Sequence, residues 1–208
     1  MHFGVYLKHH KNKLLAVGLV SLALAAFVAG LFLYYTVIPF DSSASNFLDL
    51  LYFIFEGGIL AYLLFTNVRN DARAYHAILM WIFWFFLEKI ETLFFSRSSL
   101  VAVFQPGVDP LWASLFIFYI ALVASSLGLG IALYIFVRRY MFSNQTPFSR
   151  IRRFSILYAG VSGATLVLDL VITRHFQGEI YLNSGILFLL CRFLADVAIC
   201  FTLERLKR

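Results

Sequence analysis

Apolar residues run along this chain in six long blocks separated by short polar breaks. The blocks cover about 14–37, 47–66, 76–96, 111–137, 154–173 and 184–203. Each approaches or exceeds the roughly 20 residues a helix needs to cross a bilayer's hydrocarbon core. The breaks have loop chemistry. Pro39, Asp41, Ser42, Ser43 and Asn46 part the first two blocks, and Asn67, Arg69, Asn70, Asp71 and Arg73 follow the second. Pro106, Gly107, Asp109 and Pro110 precede the fourth, and Asn144, Gln145, Thr146 and Pro147 the fifth. The pattern predicts an all-α, polytopic membrane protein: one domain over residues 1–208 with six transmembrane helices. No stretch remains for a nucleotide-binding fold, so any use of ATP needs a partner subunit.

Composition agrees. The chain is 62% hydrophobic and only 13% charged, whereas a soluble domain carries roughly 25% charged residues. The first block follows Lys8, Lys11 and Lys13 and resembles a signal peptide at first sight. Its apolar run far exceeds the roughly 7–15 residues of a signal core, so it reads as an uncleaved first span.

Charge then sets the orientation. Of the 17 Lys and Arg, thirteen fall on one side: Lys8, Lys11, Lys13, Arg69, Arg73, Arg138, Arg139, Arg150, Arg152, Arg153, Arg205, Lys207 and Arg208. Only Arg97 and Arg174 fall on the other. Cytoplasmic loops carry the excess of cations, which predicts both termini inside and a multi-pass protein of the cell membrane. The net charge of +6 is thereby spent at helix ends and calls for no nucleic acid. The arginines of 138–153 serve as a topology anchor with attraction for anionic lipid. Six spans place the two three-span halves in opposite senses, as inverted repeats require, although the halves show no sequence similarity.

Seven ionisable residues interrupt the blocks: Glu56, Glu88, Lys89, Glu91, Asp169, Arg192 and Asp196. Each costs about 2.5–3.5 kcal/mol at a helix centre, so each needs a partner or a role. Measured at 1.5 Å per residue from the outer ends, Glu56 lies roughly 13 Å deep, Glu88 roughly 12 Å and Lys89 roughly 10 Å. Glu91 lies roughly 7 Å deep, Asp169 roughly 6 Å, Arg192 roughly 12 Å and Asp196 roughly 18 Å. Six of the seven thus occupy the outer half and predict one polar cluster there. Glu88 and Glu91 share a helix face, as do Arg192 and Asp196, which can pair. Lys89 is turned about 100° from Glu88, and Glu56 is its expected counter-ion. Five acids against two bases leave a surplus suited to carrying protons or seating a cationic solute. Glu56, Glu88 and Glu91 are the candidate ligand or proton groups, with Lys89, Arg192, Asp196 and Asp169 as supporting ion pairs. The competing readings are charges that only pin helices together, and a contact with another subunit.

Small residues mark close approaches. Ala25, Ala26, Ala29 and Gly30 form a stripe on the first span, and Gly57 and Gly58 follow Glu56. The pair marks either close helix contact or a discontinuous helix lining a cavity. The outer connection from Ser96 to Pro110 has an apolar middle and reads as a plain connector. Trp112 and Tyr181 suit interfacial belts, whereas Trp81 and Trp84 lie too deep and read as packing residues. Cys191 and Cys200 face opposite sides of one helix and read as packing residues too. The chain lacks a phosphate loop, a metal-spaced His/Cys set, HExxH and a G-x-S-x-G elbow; Gly160 to Gly163 reads GVSG. No enzyme activity, cofactor or metal is expected.

Two partial resemblances exist. The size, six spans, inside termini and Ala25–Gly30 stripe resemble the substrate-binding components of energy-coupling-factor vitamin transporters. Arg153 and Phe154, then Ala159 to Leu166 and Asp169, are similar to the first helix of GtrA-like flippase proteins, over about one span. No functional residue is carried over from either. The function expected is transport or capture of a small cationic or polar solute, or of protons. The alternative is a non-catalytic membrane subunit that stabilises or regulates a larger complex, or a homo-oligomer.

Overall fold

A computed structural model describes residues 3–37, 44–105, 107–143, 146–177 and 184–207. These form six helices: α1 (Phe3–Val37), α2 (Ala44–Val68), α3 (Ala74–Ala102), α4 (Pro110–Ser143), α5 (Phe148–Gln177) and α6 (Ser184–Arg205). There is no strand among the described residues. Five helices are long and apolar enough to cross a membrane: α1, α2, α4, α5 and α6. The chain is therefore a multi-pass helical membrane protein in its architecture. In α3, every 18-residue stretch contains Glu88, Lys89 and Glu91, which sets it apart from the other five.

Helices outrun the apolar blocks because a helix can continue into the interface while its backbone stays satisfied. α1 begins at Phe3 and so takes in the basic segment before Leu14. α3 continues to Ala102, so about half of the expected connector from Ser96 onward is helix. No breaker occurs in it before Pro106 and Gly107, the latter at φ 91°. α4 starts where Asp109 caps it: its Oδ1 accepts the Leu111 amide at 2.9 Å, and Pro110 takes the first helical position. α2 ends in a left-handed turn at Asn70 (φ 57°). There the Asp71 amide reaches the Thr66 carbonyl at 2.9 Å and the Asn70 amide the Asn67 carbonyl at 3.2 Å. This paired closure satisfies carbonyls that the helix end would orphan. Pro39, Asp41, Ser42, Ser43, Pro106, Asn144, Gln145, Tyr181 and Arg208 lie outside the described residues. So do the side chains of Lys8, Asn46, Arg97 and Arg174.

Consecutive helices pack on one another and α6 closes the ring against α1; α3 also touches α6 across it. Residue pairs give the directions. Trp81 meets Asp196 and Tyr75 meets the Leu206 carbonyl, so α3 and α6 are antiparallel. Asn67 meets Thr202 and Asn70 meets Arg205 at one constant offset, so α2 and α6 run parallel. Phe136 on Phe154 and Tyr140 on Phe148 make α4 and α5 antiparallel. Arg152 on Glu204 sets α5 against α6. The bundle alternates up and down, which gathers Phe3, Lys207, the 69–73 turn and residues 146–147 at one end.

α6 is the axle. Half of its apolar stretch is buried, against 28–33% for the other four spans. Around it lie Val20, Ala23 and Phe27 of α1, Leu60 and Leu63 of α2, and Ile78, Trp81 and Ile82 of α3. The glycines let rings nest at the contacts. A Cβ on Gly30 would stand 2.9 Å from the Phe188 ring, and one on Gly57 2.9 Å from Phe27. α2 is unbroken through Gly57 and Gly58, so Gly57 serves helix contact. On the first-span stripe, Ala26 and Gly30 are buried while Ala25 and Ala29 stay exposed. Large exposed side chains such as Leu22, Phe32, Phe55, Phe94 and Phe142 cover the outside. Apolar surface on that scale is unusual for a water-soluble monomer and is natural against acyl chains.

Candidate functional site

Three charged residues meet in the bundle interior. Glu56 comes from the middle of α2, Glu88 from α3 and Arg192 from the first half of α6. The Arg192 guanidinium donates through Nη1 to Glu88 Oε1, and its Nε stands 3.8 Å from Glu56 Oε1. Nη2 lies 3.4 Å from the Tyr52 hydroxyl. The guanidinium carbon sits 5.0 Å from the Phe85 ring centre, close enough for cation–π attraction. One arginine therefore clamps two acids, with an aromatic floor. Tyr52 in turn rests on Trp84, ring centres 4.8 Å apart. Tyr52 and Trp84 each lie four residues before an acid, on the same helix face.

Burial separates the two acids. The Glu56 side chain is 1% exposed and that of Glu88 14%. Among the described residues, both Glu56 oxygens, Glu88 Oε2 and Arg192 Nε lack a hydrogen-bond partner. Buried polar atoms are normally bonded, and an unpaired carboxylate in apolar surroundings is costly. The clamp is short of one positive charge: two carboxylates share one guanidinium. One proton or one monovalent cation would make it neutral.

Asp196, one turn further along α6, belongs to a separate contact. It is 4% exposed, and its Oδ1 accepts the Trp81 indole N–H at 2.8 Å. Ser162 of α5 is a further hydrogen-bonding neighbour. Arg192 leans instead toward α2 and α3, so the expected Arg192–Asp196 pair is not made. Lys89 is half-buried and makes no ion pair among the described residues. Arg192 occupies the position at Glu56 expected for it, because Lys89 is rotated away from Glu88 on α3 while Arg192 projects from the central helix between both acids. Asp169 is half-buried on α5, also without an ion pair among the described residues. Glu91 is exposed on the outside of α3, away from the clamp. Of the three expected ligand acids, the structure brings together Glu56 and Glu88.

Sequence reasoning missed Tyr52, the cation–π floor of Phe85 and the indole donor of Trp81. It also counted Arg205 only as a C-terminal cation that sets topology. Arg205 is 4% exposed in the last turn of α6, where its Nη1 donates to Asn70 Oδ1 at 2.6 Å. Comparison with family models, curated proteins and solved structures finds no match to this chain. The two resemblances to transporter components and flippase proteins rest on the residues quoted for them alone.

Proposed function

We propose that this chain is a six-span transport or solute-binding protein of the cell membrane, with both termini cytoplasmic, and that the Glu56–Arg192–Glu88 clamp is its binding site. Its ligand is a proton or a small cationic or polar solute, moved or captured without chemical conversion and without a resident cofactor. α3 is the sixth span. Its Glu88 is compensated by Arg192, which lowers the cost of its charges in hydrocarbon, and its 29 residues reach roughly 43 Å. Six alternating crossings put the thirteen cations on the cytoplasmic side and the clamp in the outer half.

The observation that carries the reading is the Glu56 carboxyl. It is wholly buried and, among the described residues, neither oxygen is hydrogen-bonded and its one cation, Arg192, is shared with a second acid. Ionisable groups inside a membrane domain mark ion and substrate paths. The test is flux in proteoliposomes, read as proton influx with trapped pyranine and as uptake of ethidium. Glu56→Gln and Glu88→Gln are expected to lower the active flux at least tenfold at unchanged protein content. Fluxes equal to those of the native chain, or native fluxes no faster than empty liposomes, defeat the proposal.

The second reading is a non-catalytic subunit or homo-oligomer. It is favoured by one open groove, where Ala25, Val28, Ala29 and Phe32 of α1 face outward beside Leu187. Small residues of this kind let a further helix approach closely. A stoichiometric membrane partner retained through purification would select it.

A further inference from the structure

Two hollows follow one another along α4, on the side of the bundle away from α1. The first is a slot of about 210 Å³ between α3 and α4, walled by Ile82, Phe83, Phe86, Gly130, Ile131 and Tyr134. Every wall residue but the tyrosine is wholly apolar, and the exposed Phe83 and Ile131 form its outer edge. The second is a hollow of about 450 Å³ at the end of α4 that carries the chain termini. Arg138, Arg139 and Ser143 line it together with Tyr134, Ile135 and Phe142. Tyr134 borders both. From Gly130 to Arg139 the helix rises roughly 13 Å, close to the roughly 15 Å of one leaflet's hydrocarbon.

We infer that these two hollows form one site for a single anionic phospholipid. An acyl chain lies in the slot against Gly130, Ile131 and Phe86, and the phosphate sits between Arg138 and Arg139. Three features support that occupant. The hollow's cations are adjacent, exposed and free of any ion pair among the described residues. Guanidinium groups match phosphate oxygens in geometry as well as charge. The slot continues from the basic seat toward the bilayer centre, as an acyl chain continues from its headgroup; a soluble anion would use the seat alone. The site is remote from the acid clamp and does not depend on its role.

The same end of the molecule offers an internal control. Arg150 and Arg153 are also exposed but do not line the hollow. The purified full chain, in a neutral detergent, is titrated with dioleoyl-phosphatidylglycerol, dioleoyl-phosphatidylcholine or inorganic phosphate, and bound lipid is counted by native mass spectrometry. Phosphatidylglycerol is expected to be retained as one tight copy, phosphatidylcholine only weakly and inorganic phosphate not at all. R138Q/R139Q is expected to weaken retention about thirtyfold, at roughly a factor of five per cation, and R150Q/R153Q less than threefold. Ile131→Trp, which fills the slot from its exposed edge, is expected to weaken phosphatidylglycerol at least tenfold with both arginines intact. Equal losses from the two arginine pairs overturn the site in favour of diffuse attraction. Phosphate binding as well as phosphatidylglycerol, or retention unchanged by Ile131→Trp, overturns the lengthwise lipid.

Discussion

α6 carries two inward-facing arginines, Arg192 tied to α2 and α3 and Arg205 to the turn between them, and they are treated in opposite ways. Arg205, at the end with the chain termini, hydrogen-bonds to neutral oxygens, with the Asp71 carboxylate nearby as a single counter-charge. It donates to Asn70 Oδ1 at 2.6 Å and lies 3.4 Å from the Asp71 carbonyl. Around it, the Thr202 hydroxyl donates to Asn67 Oδ1 at 3.1 Å and the Tyr75 hydroxyl to the Leu206 carbonyl at 2.7 Å. Arg192 meets two carboxylates and, among the described residues, three of their four oxygens are left without a hydrogen bond. The first arrangement locks a turn onto a helix end. The second holds an excess of negative charge where little solvent reaches it. A fold that needed only cohesion would gain more from the first kind of contact, because a buried ion pair barely repays its desolvation. The unfinished arrangement is the one that can accept something.

The comparison breaks first at Arg192. Arg192→Met would strand two buried acids, and removing one partner of a buried pair costs about 3–5 kcal/mol. The expected result is a large loss of folded protein, read by size-exclusion yield and thermal unfolding in detergent. Adding Glu56→Gln and Glu88→Gln to the same chain should restore most of the yield. If the triple variant is as unstable as Arg192→Met, charge balance is not what the arginine provides.

Arg205→Ala comes next. Hydrogen bonds to a charged donor are worth about 1.5–3 kcal/mol each in net terms, and the Asn70 bond is the short one. A loss of about 2 kcal/mol is expected, with flux per folded molecule unchanged. Diminished flux at equal folded content would make the lock part of the working site. Trp81→Phe is smaller again. It leaves Asp196 without its indole donor, a deficit of about 1–3 kcal/mol, softened by the Ser162 hydroxyl nearby. Thermal unfolding at neutral pH reads it, and an unchanged transition would show that Asp196 finds another donor.

How much of this was legible beforehand differs between the fold and the site. The six apolar blocks mark the six helices because hydrophobic length is dictated by the bilayer, a constraint local to each segment. Helix ends were less legible. The run into Ala102 and the start at Phe3 depend on where backbone groups are satisfied rather than on hydropathy. Depth, also a local quantity, placed Glu56, Glu88 and Arg192 at one level. Pairing was not local. Lys89 and Arg192 had equal claims on Glu56 by depth, and only the central position of α6 decides between them. Arg205 looked like a plain C-terminal cation because its burial comes from the α2–α3 turn, 134 residues earlier in the chain. Tyr52 and Trp84 could have been found, since each sits one turn before an acid on the same face.

Glu91 supplies the finest cut. It lies three residues beyond Glu88, on a face that spacing alone assigns to the same site, yet it is exposed while Glu88 is bonded to Arg192. The difference is one of rotation: three residues turn a helix by about 300°, not a full circle, and so near the rim the remaining 60° carries the side chain off the α6-facing side. Glu91→Gln is therefore expected to shift stability by no more than about 0.5 kcal/mol, the ordinary range for an exposed substitution, and to leave proton and ethidium flux at the native rate. Glu88→Gln in the same proteoliposomes should lower it at least tenfold. Should Glu91→Gln impair flux as deeply as Glu88→Gln does, the working acids extend along the outer face of α3, and the clamp on Arg192 is only their inner end.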